Sequence, residues 1–156
     1  MTKSLYTFEP RISLVTLAVR NLPETIRFYE ALGWRRSNIG GAEVAFFQAG
    51  GSILAVWSRD ALAADAAVSS DGDGFRSSSL AYNVRHPEEV DAALATAAAA
   101  GARITRPAEE AFWGGRTGYF TDPDGHLWEV AWNPAFAIDE TGAVHLPSEP
   151  GSGSVA

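Results

Sequence analysis

Three landmarks recur, in the same order, in the two halves of this chain. Val19-Arg20 ends a β-branched run and leads into a helical pattern, and Val84-Arg85 does the same 65 residues later. Gly33 and Gly101, each placed to end the helix before it, lie 68 residues apart. A tight turn at Gly50-Gly51 is answered by Asp122-Pro123-Asp124-Gly125, with Gly51 and Gly125 separated by 74. An offset that widens slowly between ordered landmarks indicates a duplicated unit with small insertions. The chain is therefore expected to fold as two βαβββ repeats in the α+β class.

Local chemistry supports the same reading. Residues 12–19, Ile-Ser-Leu-Val-Thr-Leu-Ala-Val, alternate loosely and are rich in β-branched side chains, as a strand requires. Asn21 is suited to the N-cap of the following helix and Pro23 to its first turn. Ile26, Phe28, Tyr29 and Leu32 then recur at helical spacing. Strands are expected over 34–38, 43–48 and 52–58. In the second half, 78–84 reads as a strand and Pro87 to Ala100 as an alanine-rich helix, with three further strands after it.

These patterns divide the chain into an N-terminal arm (1–10), a first unit (11–65), a linker (66–77), a second unit (78–133) and a C-terminal extension (134–156). Asp71-Gly-Asp73-Gly in the linker has calcium-loop character. No glutamate follows at the distance such a loop requires, so a plain connector is the better reading. The tail from Ser148 is Gly/Ser-rich and expected to fray.

Composition narrows the function. The net charge of −7 opposes binding to a phosphate backbone, so no nucleic-acid partner is expected, and it favours cationic small molecules. No apolar run reaches membrane-spanning length, and the N-terminus lacks an apolar leader segment. With no cysteine there is no disulfide and no thiolate ligand, which fits a cytoplasmic location. Five tryptophans, eight phenylalanines and four tyrosines can furnish both a core and an aromatic cavity wall.

The segment Gly118-Tyr-Phe-Thr-Asp-Pro-Asp-Gly-His-Leu-Trp-Glu129-Val-Ala-Trp132 is two strands joined by a turn, with a carboxylate on the second strand. It resembles the closing hairpin of the vicinal oxygen chelate superfamily, which includes glyoxalase I, extradiol dioxygenases and bleomycin-resistance proteins. The resemblance spans residues 11–133. It implies an open, cupped barrel of two paired sheets with the helices outside, a homodimer, and a cavity reached by the first and last strand of each unit. In metal-using members the glutamate is one of several ligands. Its counterparts here fall at Leu14, Ala55 and Ser79. Leucine and alanine offer no donor atom and a neutral serine hydroxyl is a poor one, so neither metal nor other cofactor is expected. His126, three residues from Glu129 on a strand, falls on the opposite face, and His86 and His145 lie elsewhere.

Alternation puts Glu129 opposite in direction to Trp128 and Val130, and groups Leu14, Thr16 and Ala18 against Val15, Leu17 and Val19. The ligand-binding residues expected on this basis are Leu14, Thr16, Ala55, Trp57, Ser79, Asn83 and Glu129. One of Phe46 and Phe47 must join them, and Phe47 is taken. Trp113 and Arg116, from the aromatic, glycine-containing loop before the last hairpin, supply a rim. Arg116 is open to two roles, as partner of Glu129 or as an anion site.

The leading expectation is a metal-free binding protein that holds a cationic or aromatic small molecule in an aromatic-lined cavity. The alternative is a glyoxalase-like lyase or isomerase with Glu129 as general base, assisted by Arg116, Asn83 or Ser79. A scaffold that binds another protein is a third possibility, and no feature singles it out.

Overall fold

A computed structural model describes residues 7–147 of the chain. The tail expected to fray from Ser148 onward lies outside the described residues, as do the first six residues of the arm.

The first unit runs β1 (Leu14–Val19), α1 (Leu22–Ala31), β2 (Arg36–Gly40), β3 (Val44–Ala49) and β4 (Ser52–Ser58). A short helix α2 (Arg59–Asp65) follows. The second unit runs β5 (Leu80–Asn83), α3 (Glu88–Ala100), β6 (Arg103–Glu110), β7 (Arg116–Thr121) and β8 (Leu127–Trp132), and a two-stranded hairpin β9 (Ala137–Ile138) and β10 (Val144–His145) ends the described chain. Each unit forms its own four-stranded mixed sheet, in the orders β1-β4-β3-β2 and β5-β8-β7-β6. In both, the first strand is parallel to the last and the rest are antiparallel. The fold is α+β with no closed barrel, as expected of a cupped-sheet architecture.

Helix termini follow the local chemistry. Asn21 Oδ1 accepts the Glu24 N–H at 3.1 Å and Pro23 sits in the first turn of α1. At α3 the Glu89 carboxylate accepts the N–H groups of Arg85 (3.0 Å) and His86 (2.7 Å), neutralising donors the helix leaves unpaired. Gly33 and Gly101 close the two helices with φ of +94° and +110°, a region that costs other residues a steric penalty.

Two local expectations are corrected. Trp34 does not begin a strand, because its N–H donates to the Tyr29 carbonyl at 3.1 Å and keeps the chain in the helix cap until Arg36. The seven residues of α2 form a helix where no element was expected, about two alanine-rich turns without a side-chain cap.

One core serves both units. α1 is wedged between the sheets: Tyr29 packs on Phe47 of the first (5.8 Å between ring centroids) and on Trp128 of the second (6.2 Å), and Phe28 meets Phe120 at 6.3 Å. Leu17, Val19, Val56, Phe47, Val90, Leu94, Phe120, Trp128 and Val130 share this continuous cluster. Burying a large side chain such as Phe28 stabilises the fold by roughly 1.5–3 kcal/mol. Both sheets thus turn the same face inward, and the opposite faces lie outside the core. No helix among the described residues is long and apolar enough to cross a membrane.

Candidate functional site

The site is built on the outer face of the second sheet. Glu129 sits on β8 between Ala81 of β5 and Tyr119 of β7, its cross-strand partners. Its Oε1 accepts the Thr117 hydroxyl hydrogen at 2.9 Å, and the Thr117 side chain is buried. The Tyr119 phenol belongs to the residue directly across the strand from Glu129. Burial first, and then the Glu129 charge, raise that phenol above its ordinary pKa. Beyond Tyr119, Arg106 of β6 is its cross-strand partner and pairs with Glu109. Arg103 stands at the far end of the same face, opposite Thr121. The half-buried carboxylate therefore lies in a row of hydroxyl donors with its nearest cation already engaged.

The outer face of the first sheet is different in character. Leu14, Thr16 and Ala18 pair with Ile53, Ala55 and Trp57, and Phe46 stands opposite Ala55. Leu14 is 45% exposed. Leu14, Ile53, Phe46 and Gln48 line an open groove of about 780 Å³ with Arg35 and with Arg36, Ser37, Asn38 and Ile39 of β2. One wall is apolar and aromatic, the other polar and hydroxyl-rich.

Several expected site residues share these two faces: Leu14, Thr16, Ala55 and Trp57 on the first sheet, Asn83 and Glu129 on the second. Ser79 precedes β5 and its hydroxyl donates to the Leu80 carbonyl at 3.1 Å. Within one chain an open cavity of about 750 Å³ takes Gln48 and Ile53 from the first outer face and Ala81 and Asn83 from the second, but Glu129 lines none of the five principal cavities.

Two assignments are corrected. Phe47 is fully buried opposite Leu54 in the shared core, so the member of the pair on the outer face is Phe46. Arg116 lies on the core side of β7, opposite Trp132. It binds Asp91 of α3 through two hydrogen bonds of 2.8 and 3.0 Å, so it is not the partner of Glu129. That bidentate pairing holds the Asp91 carboxyl below its ordinary value. Trp113 folds back over Gly115 at the β6–β7 turn, beside the Trp132 carbonyl, while Phe112 is fully exposed. The residues missed were Thr117, Tyr119 and Arg106. Counting strand pairs back from the Asp122–Gly125 turn would have set Tyr119 against Glu129.

A second polar cluster joins the units. Asp122 Oδ2 accepts the Tyr29 hydroxyl at 2.9 Å, and the Tyr29 oxygen accepts Trp128 Nε1–H at 3.2 Å. Asp124 Oδ1 accepts the Arg20 N–H at 2.8 Å, and His126 Nε2 lies 2.8 Å from the Ala18 carbonyl. The turn at 122–126 is thus tied to β1 and α1 of the other unit.

Residues 11–130 match the family described as the Glyoxalase/Bleomycin resistance protein/Dioxygenase superfamily. The chain belongs to this superfamily. Among solved structures, a glyoxalase-related enzyme from Fulvimarina pelagi is 35% identical with a TM-score of 0.83, covering 90% of this chain and 100% of its own. A glyoxalase/bleomycin resistance protein/dioxygenase from Nocardioides is 26% identical, with a TM-score of 0.71 over 82% of this chain and 86% of its own. The lactoylglutathione lyase of Agrobacterium tumefaciens, at 19% identity and a TM-score of 0.63 over 80% of this chain and 95% of its own, shares the fold. Comparison with curated protein sequences gave no match.

The superfamily includes metal-using members, and the residues of this chain do not fit that use. Of the four positions, Leu14 and Ala55 carry no donor, and the Ser79 hydroxyl is directed at a carbonyl. Among the described residues, no group of three or more His, Cys, Asp or Glu side chains converges. A lone carboxylate does not satisfy a transition-metal ion.

Proposed function

We propose that this protein is a small-molecule binding protein of the glyoxalase/bleomycin-resistance type that works without a metal. Its ligand lies between the Glu129 face of the second sheet and the apolar Leu14, Phe46, Trp57 face of the first. A second copy brings these faces together, so that each cavity takes one wall from each chain. The observation that carries the reading is the contrast between the faces: one offers flat apolar contact, the other a single oriented carboxylate.

The sheet edges support the pairing. The free-edge strands β1 and β5 carry no charged residue, whereas the outer edges carry Arg36 on β2 and Arg103, Arg106, Pro107, Glu109 and Glu110 on β6. Charge and proline are how an edge is kept from pairing, and β1 and β5 lack both. The acidic chain without cysteine suits a cytoplasmic ligand that is cationic or aromatic.

The test is a ligand screen by thermal shift on the untagged protein, alongside elemental analysis and sedimentation. A dimer without stoichiometric metal is expected, stabilised by aromatic compounds whose effect is lost in Glu129→Ala and Trp57→Ala. Near-stoichiometric iron, nickel, zinc or manganese, or a monomer with no ligand response, overturns the reading.

One observation favours a second reading, a lyase or isomerase with Glu129 as general base. Tyr119 stands opposite the carboxylate and could donate to a substrate oxygen that gains charge as the proton leaves. Turnover of an α-hydroxy or α-keto carbonyl compound, abolished in both Glu129→Gln and Tyr119→Phe, is the result that would favour it.

A further inference from the structure

The Glu129 side chain has charged company on its sheet, yet none of it neutralises the carboxylate directly. Its cross-strand neighbours are Ala81 and Tyr119, and its resolved side-chain contact, at 2.9 Å, is with the Thr117 hydroxyl. Arg106 lies one strand further out and is engaged by Glu109. Arg116, the other cation of the hairpin, is drawn to the opposite face by Asp91. Arg106 and Arg116 are thus each matched by a carboxylate of their own, Arg103 stands at the far end of the face opposite Thr121, and Thr117 and Tyr119 beside Glu129 carry hydroxyls.

This arrangement has a consequence for selectivity. A hydroxyl that donates to one carboxylate oxygen fixes the plane of the group and leaves acceptor positions on the other oxygen, because a carboxylate can accept about four hydrogen bonds. A ligand must then bring hydrogen to it, and a charged N–H donor gains most. A ligand carboxylate placed against Glu129 would meet like charge.

We propose that Thr117 and Tyr119 are positioning residues that set the charge preference of the site, aiming the Glu129 carboxylate so that it selects a flat aromatic ligand bearing an amidinium or ammonium group over its carboxylate analogue. The inference rests on the reading that the Glu129 face is the ligand site.

The experiment uses the full chain and three matched probes: 2-naphthamidine (cationic), 2-naphthamide (neutral) and 2-naphthoate (anionic), titrated by calorimetry. The wild type is expected to bind the amidine at least about tenfold more tightly than the naphthoate, as hydrogen bonds to charged groups allow. Glu129→Gln should erase that preference. Thr117→Val and Tyr119→Phe should each reduce the amidine-to-amide ratio several-fold. Thr117→Ser, which restores the hydroxyl, should return it to the wild-type value.

A merely structural role would weaken all three probes together and leave the ratio unchanged. That outcome for both Thr117→Val and Tyr119→Phe overturns the positioning role. Equal or tighter binding of naphthoate, still sensitive to Trp57→Ala, overturns the charge preference while leaving the site reading intact. Binding indifferent to Glu129 and Trp57 alike, or no binding of any probe at millimolar concentration, counts against the site itself.

Discussion

The hydroxyl of Tyr29, on the first helix, donates to the carboxylate of Asp122 at 2.9 Å, and the two residues are 93 positions apart in the chain. Both are buried, and the Trp128 indole N–H completes the group by donating to the same hydroxyl oxygen. This contact crosses from one repeat to the other at the centre of the shared core.

Tyr29→Phe removes the oxygen and leaves both a buried carboxylate oxygen and a buried indole N–H unpaired. The expected cost is about 1–3 kcal/mol. Urea unfolding should report it as a lower midpoint with an unchanged slope, since the surface exposed on unfolding stays the same.

The same residue sets an alkaline limit. Burial first, and then the Asp122 charge, hold the Tyr29 phenol well above its ordinary value. Above about pH 10 the unfolded chain releases this proton and the folded chain keeps it, so stability falls as pH rises beyond that point. Tyr29→Phe should therefore lose stability less steeply between about pH 9.5 and 11 than the wild type. Tyr119, whose phenol is also raised, leaves part of the slope in place. Urea midpoints measured across that range give the comparison.

Gly118 is the point where α3 seats on the second sheet. A Cβ there would lie 2.5 Å from Leu94 Cδ1 and 3.1 Å from both the Ala108 nitrogen and the Arg106 carbonyl oxygen. Gly118→Ala is expected to destabilise by about 1–3 kcal/mol through overpacking. Shortening Leu94 to Val in the same chain should recover part of that loss in a thermal melt, because the closest contact is with a side-chain terminus.

Installing histidine at Leu14 and Ser79, with Glu129 in place, supplies three donors at the superfamily positions. If a second copy brings the two faces together, this variant should gain nickel or zinc binding that the wild type lacks, and adding Glu129→Gln should weaken it. Calorimetric titration with either metal reads the result. A failure to gain metal would argue that the faces do not meet.

Much of the architecture could be read from periodicity. The drifting repeat offset announced two like units, and alternation along β8 correctly set Glu129 against Trp128 and Val130. What stayed hidden were properties that no strand holds by itself. Phe46 and Phe47 are interchangeable in composition, and only the register with Leu54 and Ala55 decides which enters the core. Arg116 finds Asp91 because α3 crosses β7, a packing relation without a local signature. Thr117 and Tyr119 carry no motif of their own, and only the antiparallel register of β7 on β8 brings them beside Glu129.

The position of α1 between the two sheets also bears on how such a chain can evolve. A half by itself would present Phe28 and Tyr29 to water, with no Phe120 or Trp128 to receive them. The aromatic surface that suits each half to its neighbour would make a lone half adhesive. The repeats are thus interlocked through one core. The halves differ even within that shared core, where α1 brings the aromatic pair and α3 brings Val90, Leu94 and Ala97.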